Sequence, residues 1–154
     1  MSRMYVASMD HVSVTAVCEL FYIAAPSDAV VRIHEIKITQ DEGETSEQLP
    51  LRIFRTADNQ TGKGTLLTGR PLSVGDTAFG GEVITTILTG ATFAAETTML
   101  LSEAQNILNG FHILPTPECR IELSPSGKLV VKLDAAPSAT LYISGYMIFE
   151  EIGG

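Results

Sequence analysis

The sequence predicts an all-β chain folded as an antiparallel two-sheet sandwich, jelly-roll-like, with about eight to ten strands. Three observations carry this expectation. The dominant hydrophobic period is two rather than the helical 3.6, which is the signature of half-buried strands. Clusters of Gly, Pro, Asn, Asp and Ser interrupt the alternating runs at the intervals of a sandwich or barrel. Apolar residues make up 45% of the 154 residues and run along the whole chain, enough to fill the core of one domain over residues 1–154.

The first alternating run with an irregularity is Val30-Val31-Arg32-Ile33-His34-Glu35-Ile36-Lys37-Ile38, whose phase slips between Ile33 and Ile36. A β-bulge produces such a slip. Leu49-Pro50-Leu51-Arg52-Ile53-Phe54-Arg55 alternates next. The stretch from Ala91 to Gln105 is ambiguous. Phe93, Thr97, Leu100, Leu101 and Ala104 have helix-like spacing, yet Glu96-Thr97-Thr98-Met99-Leu100-Leu101 reads as a strand before a turn at Ser102-Glu103. Strand plus turn is the reading adopted. Further on, Lys128-Leu129-Val130-Val131-Lys132-Leu133 places Leu129, Val131 and Leu133 on one face and the two lysines on the other. Pro125-Ser126-Gly127 stands between this run and Ile121-Glu122-Leu123, which predicts a hairpin. The longest alternation, Thr140 to Glu150, is rich in Tyr, Ile and Phe, which favour strands. Strand order is not legible in this periodicity.

Composition narrows the function classes. A formal charge of −8 opposes nucleic-acid binding, because a phosphate backbone needs a cationic surface. No apolar run reaches the roughly 18–20 residues that span a bilayer, and no h-region opens the chain, so no membrane anchor or signal peptide is expected. The acidic stretch Asp41-Glu42-Gly43-Glu44 with Glu47 lacks the oxygen-ligand spacing of a calcium loop and reads as a solvated, mobile loop. Without a secretory signal, Cys18 and Cys119 read as two reduced, buried thiols, with a disulfide as the alternative.

No catalytic constellation emerges. His11, His34 and His112 form no pair that would set two metal ligands on one face. His34-Glu35 are adjacent, so on a regular strand they point to opposite faces. Neither cysteine has a context that lowers a thiol pKa, and no serine stands in a Gly-x-Ser-x-Gly elbow. Glu19, Glu35, Glu122 and Glu150 fall in or beside strands, where distant acids can still meet as a glycosidase-like pair. Gly62-Lys63-Gly64-Thr65 lacks the spacing of a phosphate loop, and Gly75-Asp76 with Gly80-Gly81 reads as a flexible loop. A sugar-binding module would want exposed rings. There is no Trp, and Tyr142 and Tyr146, on one face of the last strand, read as core packing ahead of a sugar platform. The expectation is therefore no enzyme, no cofactor and no metal.

A resemblance sharpens this. Leu114-Pro115-Thr116-Pro117-Glu118, then Arg120 through Val131 with its Pro125-Ser126-Gly127 turn, then Ala136-Pro137 and the terminal Phe149-Glu150-Glu151-Ile152-Gly153-Gly154, form one part of the pattern. Gly75-Asp76-Thr77-Ala78-Phe79-Gly80-Gly81 and the run from Ala25-Pro26-Ser27-Asp28 to Ile36 form the other. Together they resemble small β-sandwich capsid decoration (cement) proteins encoded among the head genes of tailed bacteriophages. The resemblance implies a virion protein that binds the major capsid protein on the outer capsid surface, as a homotrimer bridging capsomers. It carries over no binding residue. Under it, the termini and long loops are the candidates for capsid contact, with Ser2, Arg3, Met4 and Tyr5 as an arm and the acidic loop facing solvent. A carbohydrate-binding module on a virion or cell surface is the alternative.

Overall fold

A computed structural model of the chain describes residues 2–42, 46–85 and 93–153. Among these it has twelve strands and two short 3-10 turns, and no α-helix. The strands are β1 (Ser2–Val14), β2 (Cys18–Ala24), β3 (Ala29–Glu42), β4 (Gln48–Thr56), β5 (Thr65–Leu67), β6 (Arg70–Pro71), β7 (Glu82–Thr85), β8 (Thr98–Asn106), β9 (Phe111–Ile113), β10 (Glu122–Leu123), β11 (Lys128–Leu133) and β12 (Leu141–Gly153).

Two antiparallel sheets pack face to face. The first runs β10-β3-β12-β1-β6, with β9 also on β3. Strands β9 and β10 occupy successive lengths of the same edge, against Ile36 to Ile38 and against Val31 and Arg32. The second sheet runs β5-β7-β2-β11-β4-β8. Strands β1 to β4 alternate between the sheets. After the excursion through β5 to β7, β8 pairs with β4 in the second sheet, β9 and β10 return to β3 in the first, and β11 and β12 take one place in each. First, last and third strands neighbour one another in one sheet; second, penultimate and fourth do so in the other. That order is a jelly roll, all-β as the alternation predicts.

Inner faces from both sheets make one core. Tyr5, Ala7, Met9, Ile33, Ile36, Met147 and Phe149 come from the first sheet, and Leu20, Phe21, Ile23, Leu51, Ile53, Leu129 and Val131 from the second. The phase slip in β3 is a bulge: Ile33 pairs with Phe149 and Glu35 with Ile148, leaving His34 extra. Ile33 and Ile36 can then both face the core. Gly145 is required where β12 meets β3, because a Cβ there would lie 2.5 Å from the Lys37 carbonyl oxygen.

Two local expectations are corrected. Pro125-Ser126-Gly127 does not close a hairpin: β10 pairs with β3 in the first sheet, and β11 with β2 and β4 in the second. Leu123 and Leu129 enter the common core from opposite sheets, so the turn crosses between layers. Ser126 adopts a positive φ of 62° there. The segment from Thr98 is a strand, but Ser102 and Glu103 continue it rather than turning. Their partners Arg52 and Leu51 keep the ladder going.

Candidate functional site

The expected N-terminal arm does not form. Ser2, Arg3, Met4 and Tyr5 are the first rungs of β1, opposite Ile152, Glu151, Glu150 and Phe149 of β12. The reason is the alternation itself, which reaches the start of the chain and turns Tyr5 inward. Its ring is fully buried, stacks on Phe149 at 5.7 Å, and its hydroxyl donates to the Thr77 carbonyl oxygen at 3.0 Å. Arg3 Nη1 lies 3.3 Å from Glu151 Oε1. Of the four candidates, Ser2 and Met4 are left on the outer side.

Beside them a loop leaves β6. It is pinned at both ends. The Leu72 N–H donates to the Met4 carbonyl oxygen at 2.8 Å, and the Gly80 N–H donates to Glu151 Oε2 at 3.0 Å. Phe79 packs on the core, 5.5 Å from the Tyr5 ring and 4.7 Å from that of Phe149. The tip turns at Gly75, whose φ of +106° suits glycine. On this pinned frame Leu72 is 54% exposed and Val74 fully exposed. Their location was missed in the sequence; two apolar side chains inside a Pro- and Gly-bounded loop were the available signal.

The outer face of the first sheet gathers all three histidines, each against a carboxylate. His34 Nε2 is 2.9 Å from Glu150 Oε2, and His112 Nε2 is 2.9 Å from Glu35 Oε1. His11 lies 3.8 Å from Asp41 and 3.7 Å from Glu42. The bulge corrects one reading: His34 and Glu35 share this face, because the extra residue lets two successive side chains point outward. Tyr146 donates to Glu35 Oε1 at 2.7 Å. That bond, with help from His112, holds the Glu35 carboxyl below its usual range and raises the Tyr146 hydroxyl. Burial pushes Glu150 upward, but the Ser2 hydroxyl, His34 and Arg32 outweigh it, and its carboxyl lies below the ordinary value.

The tyrosines are corrected too. Tyr142 and Tyr146 face outward, not into the core. They are not a bare platform: Tyr142 stacks on His11 at 4.4 Å, and Tyr146 is tied to Glu35. A shallow cleft of about 370 Å³ lies over Gly145, lined by Ser8, Asp10, Lys37, Thr39, Ser144 and Tyr146. The acidic stretch divides. Asp41 and Glu42 end β3 beside His11, Glu47 accepts from the Ser138 N–H, and Gly43 and Glu44 lie outside the described residues.

Reactive groups are poorly placed for chemistry. Cys18 is buried, and burial followed by the neighbouring Glu19 pushes its thiol up to about 12. Cys119 is a free, exposed thiol rather than a buried one, and no disulfide forms. Glu19 is buried on the outward side of the second sheet, under Ala94, whose N–H donates to its Oε1 at 2.6 Å. Its Oε2 has no hydrogen-bond partner. Burial raises its carboxyl, only partly offset by that bond and by Lys132. Ser144 Oγ touches Asp10 and Asp41 and accepts from the His11 backbone N–H, with no imidazole in contact. Among the described residues no cluster of three or more His, Cys, Asp or Glu could hold a metal ion. No protein-family model, curated protein or solved structure matches the chain.

Proposed function

We propose that this chain is a non-catalytic virion protein, a capsid decoration (cement) protein that acts as a homotrimer on the outer surface of a phage shell. It binds the major capsid protein and stabilises the shell by bridging capsomers, without a cofactor. The observation that carries the reading is the pinned loop with Leu72 and Val74 in solvent, next to Ser2 and Met4. A fold gains nothing by fixing apolar side chains outward, whereas a partner that buries them gains roughly 1.5–3 kcal/mol for each. Repeated over the copies of a trimer, such modest contacts add up through effective concentration.

Two further features support it. Jelly rolls recur in viral capsid and lectin domains, although fold alone does not fix function. The edge strand β8 also exposes Met99 and Leu100, and an uncovered edge is a surface on which copies can pair. The trimer itself comes from the resemblance.

A carbohydrate-binding module is the second reading. The cleft over Gly145 favours it, with a tyrosine wall and hydroxyls from Ser8, Thr39 and Ser144.

Light scattering on the purified chain tests the assembly reading. The expected mass is three times the chain's 16.5 kDa. A monomer at every concentration, with no association on bare shells, would overturn it and put a glycan screen first.

A further inference from the structure

A second cavity, of about 580 Å³, opens where the two sheets part at one end of the sandwich. Val30, Glu122, Leu123 and Ser124 line it from the side of the first sheet. Arg55 at the end of β4 and Lys128 at the start of β11 line it from the second, and Thr97 and Thr98 close the flank. Its size lies within the roughly 300–1,000 Å³ of small-ligand sites.

The charge inside runs against that of the whole chain. Arg55 Nη2 donates to the Glu122 carbonyl oxygen at 3.1 Å, and Lys128 Nζ to the Ala57 carbonyl oxygen at 3.1 Å. Among the described residues neither cation has a carboxylate within ion-pair reach. The acid on the lining, Glu122, is engaged by Arg32, whose Nε and Nη2 lie 2.6 and 2.5 Å from its Oε1. Two cations are thus left with spare N–H groups, and arginine's planar fork suits a carboxylate. The Thr97 hydroxyl donates to the Arg55 carbonyl oxygen at 2.8 Å and keeps its lone pairs. Thr98 and Ser124 add hydroxyls, while Val30 and Leu123 supply apolar surface.

We propose that this cleft binds a small sugar acid, its single carboxylate on Arg55 and Lys128 and its ring hydroxyls on Thr97, Thr98 and Ser124. One negative charge fits two cations in a chain of net charge −8, whereas a polyanion would meet repulsion from the rest of the surface. The inference is independent of the capsid reading, since no lining residue belongs to the loop carrying Leu72 and Val74.

Calorimetric titration with glucuronate, glucose and glutamate tests it. Glucuronate is expected to bind at least about tenfold more tightly than either of the others, the value of one charge-assisted contact or a set of hydroxyl bonds. R55Q and K128Q should each weaken glucuronate by about tenfold or more while leaving the melting temperature unchanged. Should R55Q fail to fold, K128Q and T98V carry the test. Glucuronate and glucose binding alike would overturn the carboxylate contact, and glutamate matching glucuronate would overturn the sugar class. No heat with any of the three, or full affinity in K128Q, would overturn the site.

Discussion

Phe79 meets Phe149 edge-on, with ring centroids 4.7 Å apart and planes at 66°, and so ties a surface loop into the middle of the sandwich. Edge-to-face pairs of this kind contribute about 0.5–1.5 kcal/mol beyond the area they bury. The loop is therefore anchored to the core, while its exposed tip is closed by the Asp76 N–H donating to the Ser73 carbonyl oxygen at 3.3 Å.

Separating those two roles is the first prediction. Phe79→Ala should cost about 3 kcal/mol in denaturant unfolding, as large-to-small changes in packed sites do. The pair L72S/V74S should stay within about 0.5 kcal/mol of the parent, because exposed positions rarely affect stability. A large loss in the double variant would mean that the tip packs on the fold.

The two thiols should differ in reactivity. Only thiolate attacks, and burial keeps Cys18 protonated, with its pKa at about 12. Cys119 is free and exposed. A chromogenic disulfide reagent at neutral pH should titrate one thiol in the native protein and two after denaturation. Two fast equivalents in the native protein would contradict the placement of Cys18.

Glu19 should make the fold less stable as pH rises. Its folded carboxyl is raised above the ordinary 4.5 by burial. Its contribution is then fully present below 4.5 and lost as pH climbs through the folded value. Glu19→Gln should remove that loss, making the variant more stable than the parent at neutral pH and leaving little difference in acid. Glu35 and Glu150 act in the opposite sense. Their lowered carboxyls contribute stability above 4.5 that fades as pH falls through their folded values. Unfolding curves of E19Q and E150Q should therefore both approach the parent in acid and part from it at neutral pH in opposite directions, E19Q the more stable and E150Q the less.

Gly145→Ala should destabilise by about 1–3 kcal/mol, the usual cost of forcing a group into filled space. Its new methyl would press on the Lys37 carbonyl oxygen, 2.5 Å away in the parent. Thermal unfolding checks it, and an unchanged midpoint would show that β3 and β12 can part at this rung.

Most of the strands were legible because one face of each is buried. The β3 bulge showed itself as a phase slip, since Ile33 and Ile36 must both reach the core. What stayed hidden was which sheet each strand joins. Leu123 and Leu129 look alike whether their strands pair with each other or face each other across the core, so a crossing turn reads as a hairpin. The histidine–carboxylate face was hidden for the same reason. Its contacts join residues as distant as His34 and Glu150, which only strand order brings together. Leu72 and Val74 were invisible in another way, because period two says nothing about an apolar side chain in a loop.

Co-sedimentation with bare shells of the cognate major capsid protein tests the central claim most directly. The parent chain should pellet with the shells, while L72S/V74S, folded and equally stable, should stay in the supernatant. If the double variant pellets as the parent does, the loop is not the contact; if neither pellets, the decoration reading falls.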